Sequence, residues 1–442
     1  MIFAVTASLL GFLALSIPVG IVLFLLGIGV DQFFTPFPLL RGLGQVVWSS
    51  SNSSTLIAIP FFVLLGEILV RGGIAEKTYE ALDKWFSWLP GGLIHANIGT
   101  ATMFSATSGS SVATAATVAT VAMPQAEKLG YDPKLFSGAI AAGGTLGIMI
   151  PPSINLIVYG FLTETSIPRL FLAGLVPGLV MALVFMLVTV VLCKIKPSLG
   201  GQSRSFSWSE RIASLRHLIP ILILFFAVIG SIYAGWATPT ESAAIGVAIA
   251  MLIAAFNRGV SNDMVKMCLL GTVRITAMIT LVIIGAYFLN FTLTAAGMGR
   301  ELKDLLTGLN FSPMGTLLVV IALYIVLGFF IETLSLMVAT IPIIVPIMTG
   351  MGFDKVWFGI LLIVLIEMAL ITPPVGLNLY VVQGARKSGR LSEVMLGTIP
   401  FVLVMAAMIV GLIFLPELAL FLPDYLDRKS TRLNSSHITI SY

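Results

Sequence analysis

Long apolar runs separated by short polar stretches make up most of this chain. Runs at about residues 2–30, 42–70, 170–193, 218–234, 239–256, 267–296 and 394–416 approach or exceed the ~20 residues that cross a bilayer as a helix. A membrane β-barrel would alternate apolar and polar positions over segments of about ten residues instead. The pattern therefore predicts an all-α polytopic membrane protein. Two further stretches, RGGIAEKTYEALDKWFSWLPGG (71–92) and GMGRELKDLLTGL (297–309), alternate charged and apolar residues at helical spacing. They read as amphipathic helices lying along the membrane surface, with Trp85 and Trp88 at the interface.

Two units depart from the apolar pattern, and they resemble each other. FSATSGSSVAT (104–114) and FIETLSLMVAT (330–340) share Phe104/Phe330, Thr107/Thr333, Val112/Val338, Ala113/Ala339 and Thr114/Thr340 at one constant offset. A Pro-Pro pair follows each unit, Pro151-Pro152 and Pro373-Pro374, and an asparagine follows each pair, Asn155 and Asn378. Ile59, Gly72 and Glu76 match Ile284, Gly297 and Glu301 at almost the same offset. Each half reads as span, span, surface helix, polar hairpin, broken helix, span, and one extra span near 218–234 joins the halves.

Gly109 and the serines around it weaken helix propagation. Non-helical backbone at membrane depth survives only inside protein or beside a cavity. A re-entrant hairpin with its tip at Ser108–Ser111 meets both conditions. Such a tip presents helix ends, whose unpaired N–H groups attract anions and whose unpaired C=O groups attract cations. That chemistry suits a hard cation such as sodium and a carboxylate. The same small residues also serve close helix packing in membranes, but two clusters at matched positions, each with a Pro-Pro break, favour a binding role.

A proline inside a helix removes a donor and clashes with the preceding turn, at about 3 kcal/mol or more. The Pro-Pro pairs therefore predict two discontinuous membrane helices, about 135–161 and 354–384, whose freed carbonyls can hold an ion. Gly143, Gly144 and Gly147 would let the first hairpin approach the first break. Asn155 and Asn378 either bind ion or substrate or satisfy the broken backbone. Among the acids in apolar surroundings, Glu332 near the second tip is the strongest functional candidate; Glu67 and Glu367 are buried or near an interface. Glu241 follows Pro239 in ATPTESAA and reads as a capping-box acid for Thr238.

Charge sets orientation. The loop at 194–216 carries Lys194, Lys196, Arg204, Arg211 and Arg216 against Glu210, and 385–393 is also basic; both are expected in the cytoplasm. The extra span then inverts the second half, with the N-terminus inside and the C-terminus outside. The first run lacks a basic leader and a small-residue cleavage site and reads as a retained span.

Hydrophobic residues make up 58% of the 442 and charged residues 10%, against roughly 25% charged in soluble proteins. The net charge of +4 lies in loops and does not indicate nucleic acid. Cys193 and Cys268 lie in apolar runs, and His95, His217 and His437 are isolated. Neither a metal-ligand spacing nor a nucleophile–histidine arrangement appears, so the chain is expected to be neither an enzyme nor a holder of a cofactor.

The motifs SATSGSS, GIMIPPSINLIVYG, TPTESAA and PPVGLNLYV, in that order up to about Asp427, resemble the large membrane subunit (dicarboxylate-type M subunit) of tripartite ATP-independent periplasmic (TRAP) transporters. The resemblance implies a sodium-driven secondary importer of a carboxylate or other organic acid. It implies two partners in the bacterial inner membrane system: a small four-helix membrane subunit (Q type) and a periplasmic substrate-binding protein (P type). It implies an elevator in which a transport domain carries both hairpins past a fixed scaffold. The family's ion and substrate regions carry over to Ser105, Ser108, Ser110, Pro151, Asn155, Glu332, Thr333, Ser335, Thr372, Pro373 and Asn378; Gly109 and Pro152 join them from the hairpin and break readings. Glu332 stands where sialic-acid-type members have aspartate. The alternative is a self-sufficient sodium–carboxylate symporter of the same two-hairpin plan, although the Ser-Asn-Thr tips usual there are missing.

The domain division expected is scaffold spans and surface helix at 1–91, first hairpin and broken helix at 92–165, and scaffold with cytoplasmic loop at 166–311. The second hairpin and broken helix follow at 312–385, and the last span at 386–427. The polar segment 428–442 reads as a disordered tail that need not belong to the native fold.

Overall fold

The computed structural model describes residues 1–15, 17–36, 38–202, 204–257, 259–298, 301, 312–329, 331–373, 376–386 and 389–438, with the backbone alone at 2, 14, 50, 54, 55, 105–108 and 428–438. Every regular element among them is helical. In chain order they begin with α1 (Ile2–Ala14), α2 (Val19–Phe34), α3 (Leu43–Ser51), α4 (Ser54–Arg71) and α5 (Ile74–Phe86). The first hairpin is α6 (Gly92–Ser108) with α7 (Ser111–Leu129), and the first broken helix is α8 (Pro133–Met149) with α9 (Ile154–Thr163). Then come α10 (Ile167–Ile195), α11 (Trp208–Ser214), α12 (Ile219–Tyr233), α13 (Pro239–Asn257) and α14 (Asn262–Ala295). The second hairpin is α15 (Pro313–Gly328) with α16 (Thr333–Gly350), and the second broken helix is α17 (Lys355–Ile371) with α18 (Leu377–Arg386). The chain closes with α19 (Leu391–Phe414) and α20 (Glu417–Ile438).

Local chemistry explains most of these boundaries. Gly130, in the left-handed region at φ +67°, ends α7, and Asp132 caps α8 by accepting from Lys134 N and Leu135 N. The second half repeats the device: Asp354 caps α17 by accepting from Val356 N and Trp357 N. A carboxylate at this position satisfies orphan donors of the first turn. Glu241 and Thr238 form the expected reciprocal cap, Thr238 N donating to Glu241 Oε2 at 2.8 Å and Glu241 N to Thr238 Oγ1 at 3.3 Å.

Three expectations need correction. The run at 2–30 is two helices, because Pro18 cannot continue α1 and instead precedes α2. The run at 42–70 is also two, interrupted at Asn52–Ser53, where polar side chains compete with the helix backbone. The tail is helical through Ile438 rather than irregular: past Pro423 it contains neither glycine nor proline, so nothing local stops propagation. Residues 439–442, and most of the second amphipathic stretch at 297–309, lie outside the described residues.

The expected first surface helix is α5. It turns 66° from α4 and buries Ile74, Ala75, Thr78, Tyr79 and Leu82. The basic loop folds onto its other side: Trp85 Nε1 donates to Arg211 O at 3.1 Å, and Arg204 pairs with Asp83 at 3.3 Å. Trp88 is exposed, as an interfacial residue would be.

Two packed groups emerge. Helix α14 lies along α2 and α4, and α13 packs on α4 and α12. The hairpins and broken helices pack on one another, with α8 against α6, α7, α17 and α19. Where α8 crosses α19 the backbones touch: a Cβ on Gly138 would stand 2.1 Å from Gly397 C, and one on Gly397 would stand 1.9 Å from Lys134 O. The long helix α10, grouped with the scaffold in the sequence reading, makes its main contacts with α6, α8, α9, α17, α19 and α20. Gly174 permits this, since a Cβ there would meet Met149 O at 2.6 Å. Five described helices are long and apolar enough to cross a membrane, or up to eight if each bent pair counts as one span.

Candidate functional site at the hairpin tips

The first tip forms because Gly109 adopts φ +58°, which glycine enters without strain. Ser110 then caps α7, its Oγ accepting from Ala113 N at 3.4 Å. A Cβ on Gly109 would lie 3.1 Å from Ile154 Cγ1, so the tip sits directly on the start of α9. Three of the four glycines of α8, Gly143, Gly144 and Gly147, make the approach possible, as expected. A Cβ on Gly144 would meet Ala115 Cβ at 2.7 Å, and one on Gly147 would meet Ser110 O and Thr114 Oγ1 at 3.0 Å; Gly143 faces Ala101 in the same way.

The first break runs through Ile150, Pro151, Pro152 and Ser153, all buried. The two halves of the broken helix meet at 41°, and Ser153 restarts it by accepting from Leu156 N. Asn155 follows at 4% exposure, and its Nδ2 donates to no described group. A buried donor without a partner costs about 1–3 kcal/mol, and it is a natural contact for a bound oxygen.

At the second tip, Glu332 is exposed and caps α16, its Oε2 accepting from Ser335 N at 3.0 Å. It is therefore not a buried intramembrane acid; it faces open space. Thr333 is buried and Ser335 half-buried in the first turn of α16. At the second break, Thr372 donates to Met368 O at 2.6 Å and Pro373 is half-buried. Pro374 lies outside the described residues, as do the side chains of Ser105 and Ser108.

Gly109, Ser110, Asn155 and Glu332 line one cavity of about 200 Å³. Its other wall comes from α4 and α14: Glu67 and Val70 of α4, and Ile275 and Met278 of α14. The volume is below the ~300–1,000 Å³ of sites for drug-sized ligands and suits a small metabolite. Two carboxylates, Glu67 and Glu332, line it, and among the described residues no lysine, arginine or histidine does. Arg71, one turn beyond Glu67 on α4, is engaged with it, Nε to Oε2 at 2.9 Å. Gly271 brings α14 against this pair, since a Cβ there would stand 2.6 Å from the Glu67 carboxyl carbon.

Asn378 does not reach this cavity. It is wholly buried, donating to Ser111 Oγ at 3.1 Å and Ala141 O at 3.2 Å. Ser111 Oγ lies 2.9 Å from Glu367 Oε2 and 3.1 Å from Gly144 O. Glu367 is wholly buried too. Glu367 Oε1 and Asn378 Oδ1 have no hydrogen-bond partner among the described residues. This cluster of oxygens joins the first hairpin to the second broken helix. Sequence reading places Glu367 only as an acid buried or near an interface; its signal was a lone carboxylate in LLIVLIEMALI, one turn and a half before the Pro-Pro pair.

Comparison with known proteins agrees with this architecture. A large permease protein (DctM) of a C4-dicarboxylate TRAP transporter from Pseudomonas aeruginosa is 34% identical over 391 residues, 88% of this chain and 90% of that protein. The isethionate TRAP transporter permease protein DctMQ of Oleidesulfovibrio alaskensis is 32% identical; the match covers 93% of this chain and 64% of that longer protein. Among solved structures, the YdaH transporter of Alcanivorax borkumensis superposes with a TM-score of 0.57 at 14% identity, covering 90% of this chain and 97% of that one, a likeness of fold. Residues 6–418 match the family described as the tripartite ATP-independent periplasmic transporter, DctM component. With hairpin tips, broken helices and sequence all in agreement, this chain belongs to that family, the large membrane permeases of TRAP transporters.

Proposed function

We propose that this permease imports a small organic acid of the C4-dicarboxylate type, coupled to sodium, across the bacterial inner membrane. The cavity between the tips and the scaffold carries the reading. It has the size for a small metabolite, yet its charged lining is two carboxylates, Glu67 and Glu332, the first of them paired with Arg71. An anion entering such a site meets like charge, worth about 4 kcal/mol at 4 Å and an effective dielectric of 20. Cations bound at the tips would offset that repulsion, so cation and acid would be carried together. Tip backbone, Ser110, the orphaned Asn155 amide and the oxygens at the two breaks are the groups available for them. The names of the relatives, acting on C4-dicarboxylates and isethionate, support an organic acid as cargo.

The same family membership supports two partners, a small membrane subunit and a periplasmic binding protein that delivers the acid. The relative named DctMQ extends well beyond the length of this chain, which accords with a second membrane component. The two packed groups support an elevator in which the hairpin body, arranged as an inverted repeat, slides along α4 and α14. In this reading the cavity opens to alternate sides.

The test is uptake of C4-dicarboxylates into proteoliposomes, with and without a sodium gradient, and with and without the two companion subunits. Uptake that needs sodium and both companions is expected. Uptake by this chain alone would identify a single-component symporter, and uptake indifferent to sodium would overturn the coupling.

A further inference from the structure

Outside the tips, one cavity combines cations with an apolar floor. It measures about 330 Å³ and lies where α5, the turn before α12 and the end of α13 meet. Lys77 and Arg216 supply its charge, His217 a further polar ring, and Ile74, Pro220, Ile253 and Phe256 its apolar surface. No described ion pair engages Lys77, Arg216 or His217; the Arg216 Nε contact is to the neighbouring His217 ring at 3.4 Å. Asn257, also at the rim, has its Nδ2 committed to Gly72 O at 2.7 Å. Burial lowers the His217 imidazole pKa, and Arg216, Lys77 and Lys84 push it the same way while Glu80 opposes them. The pocket is thus a region of net positive potential.

Its position selects the ligand. Arg216 and His217 lie in the turn just before α12, whose N-terminal dipole adds to the positive charge, and Lys77 faces them from α5. Immediately beyond begin the apolar helices. Phe256 is 91% exposed, and one turn further along each helix Ile223 and Leu252 are 53% and 59% exposed. A polar head anchored among the bases would lay its acyl chains over these residues. The neighbouring loop is the most basic in the chain, the side expected to face the anionic cytoplasmic leaflet.

We propose that the Lys77–Arg216–His217 cavity binds the phosphate headgroup of an anionic phospholipid, with the acyl chains running along α12 and α13. The site holds the α4–α5 joint against the scaffold end of α13, and so fixes the scaffold in the membrane. It does not depend on the transport cycle proposed above.

The test is ligand binding to the full chain in detergent, by native mass spectrometry and thermal shift. The probes are short-chain phosphatidylglycerol, short-chain phosphatidylcholine and inorganic phosphate. Phosphatidylglycerol is expected to bind and raise the melting temperature, and the other two to do neither. K77Q and R216Q should each weaken phosphatidylglycerol binding about fivefold, by the cost of about 1 kcal/mol per Lys or Arg at an anionic surface. A K194Q/K196Q control on the same loop should leave it unchanged. Equal response to phosphatidylcholine, full competition by inorganic phosphate, or unchanged binding in both K77Q and R216Q would each overturn the proposal. Lys77 and Arg216 are exposed, so these single variants are expected to fold. Sodium-dependent uptake measured in parallel keeps the two proposals separable, because loss of lipid binding with uptake retained touches only this site.

Discussion

At Asn155 the free Nδ2 and 4% exposure mark a side chain held in place with one hydrogen bond still to make. Asn155→Ala is expected to reduce sodium-dependent uptake at least tenfold while membrane insertion, judged by expression and gel filtration, stays at the wild-type level. Undiminished uptake would show that the amide only supports the broken backbone. Glu367 poses a different case. Its carboxyl has Ser111 as its only described hydrogen-bonding neighbour and sits at zero exposure beside Asn378. Truncation to alanine leaves Ser111 with Gly144 O and Asn378 but removes a buried hydrogen bond, at about 0.5–1.5 kcal/mol, and opens a void. We expect Glu367→Ala to lower the melting temperature by several degrees. Glu367→Gln, which keeps the shape, should retain the fold but alter the sodium dependence of uptake if the orphaned oxygens contact the ion. A Gln variant with wild-type sodium dependence would reduce the cluster to a structural clasp.

Among elements, the α8–α19 crossing is the most demanding. At Gly138 and Gly397 there is no room for a methyl group, since either Cβ would fall about 2 Å from backbone atoms of the other helix. Overpacking of this kind typically costs about 1–3 kcal/mol, and backbone cannot rotate aside as a side chain can. Gly138→Ala should therefore lower the melting temperature and the folded yield, whereas Gly384→Ala, with nothing within 4 Å, should be neutral. Comparable loss in both would mean that the crossing tolerates displacement. The breaks show how strictly local chemistry sets an element. Apolar runs long enough for one span became two helices at Pro18 and at Asn52–Ser53, because donor loss and side-chain competition act within a turn.

For the whole molecule, the cavity between tips and scaffold is where relative movement would be felt. Ala113 of the hairpin body and Met278 of α14 both line it. The native thiols, Cys193 and Cys268, are buried, so cysteines placed at 113 and 278 can be bridged by a short reducible bifunctional reagent. Bridging should abolish uptake, and reduction should restore it. Uptake that survives complete bridging would rule out sliding of the hairpin body along α14.

The first tip and the first break were legible in the sequence because their causes lie within a few residues, at Gly109 and Pro151-Pro152; the interruptions at Pro18 and Asn52–Ser53 are equally local but were hidden inside long apolar runs. The lipid-scale apolar runs and the basic loops were legible for the same reason, since hydropathy and charge are read position by position. The pairing of those units was not. Ser111 and Glu367 are 256 residues apart, and nothing near either one announces the other. The sequence likewise held Asn155 and Asn378 as equivalents, yet packing opened one onto the cavity and enclosed the other beneath the first hairpin. The sequence ranked Glu332 above Glu67 and Glu367, but it could not tell that Glu332 is exposed and Glu367 wholly buried, because burial depends on which helices close over a carboxylate. By itself the sequence determined an all-helical membrane protein with two polar hairpin segments and two proline-broken segments, since those follow from local backbone chemistry and hydropathy. Only the tertiary structure decided which polar groups share the cavity, which bridge the two halves, and that Lys77 meets Arg216 and His217 in one pocket, because those meetings depend on contacts between distant helices.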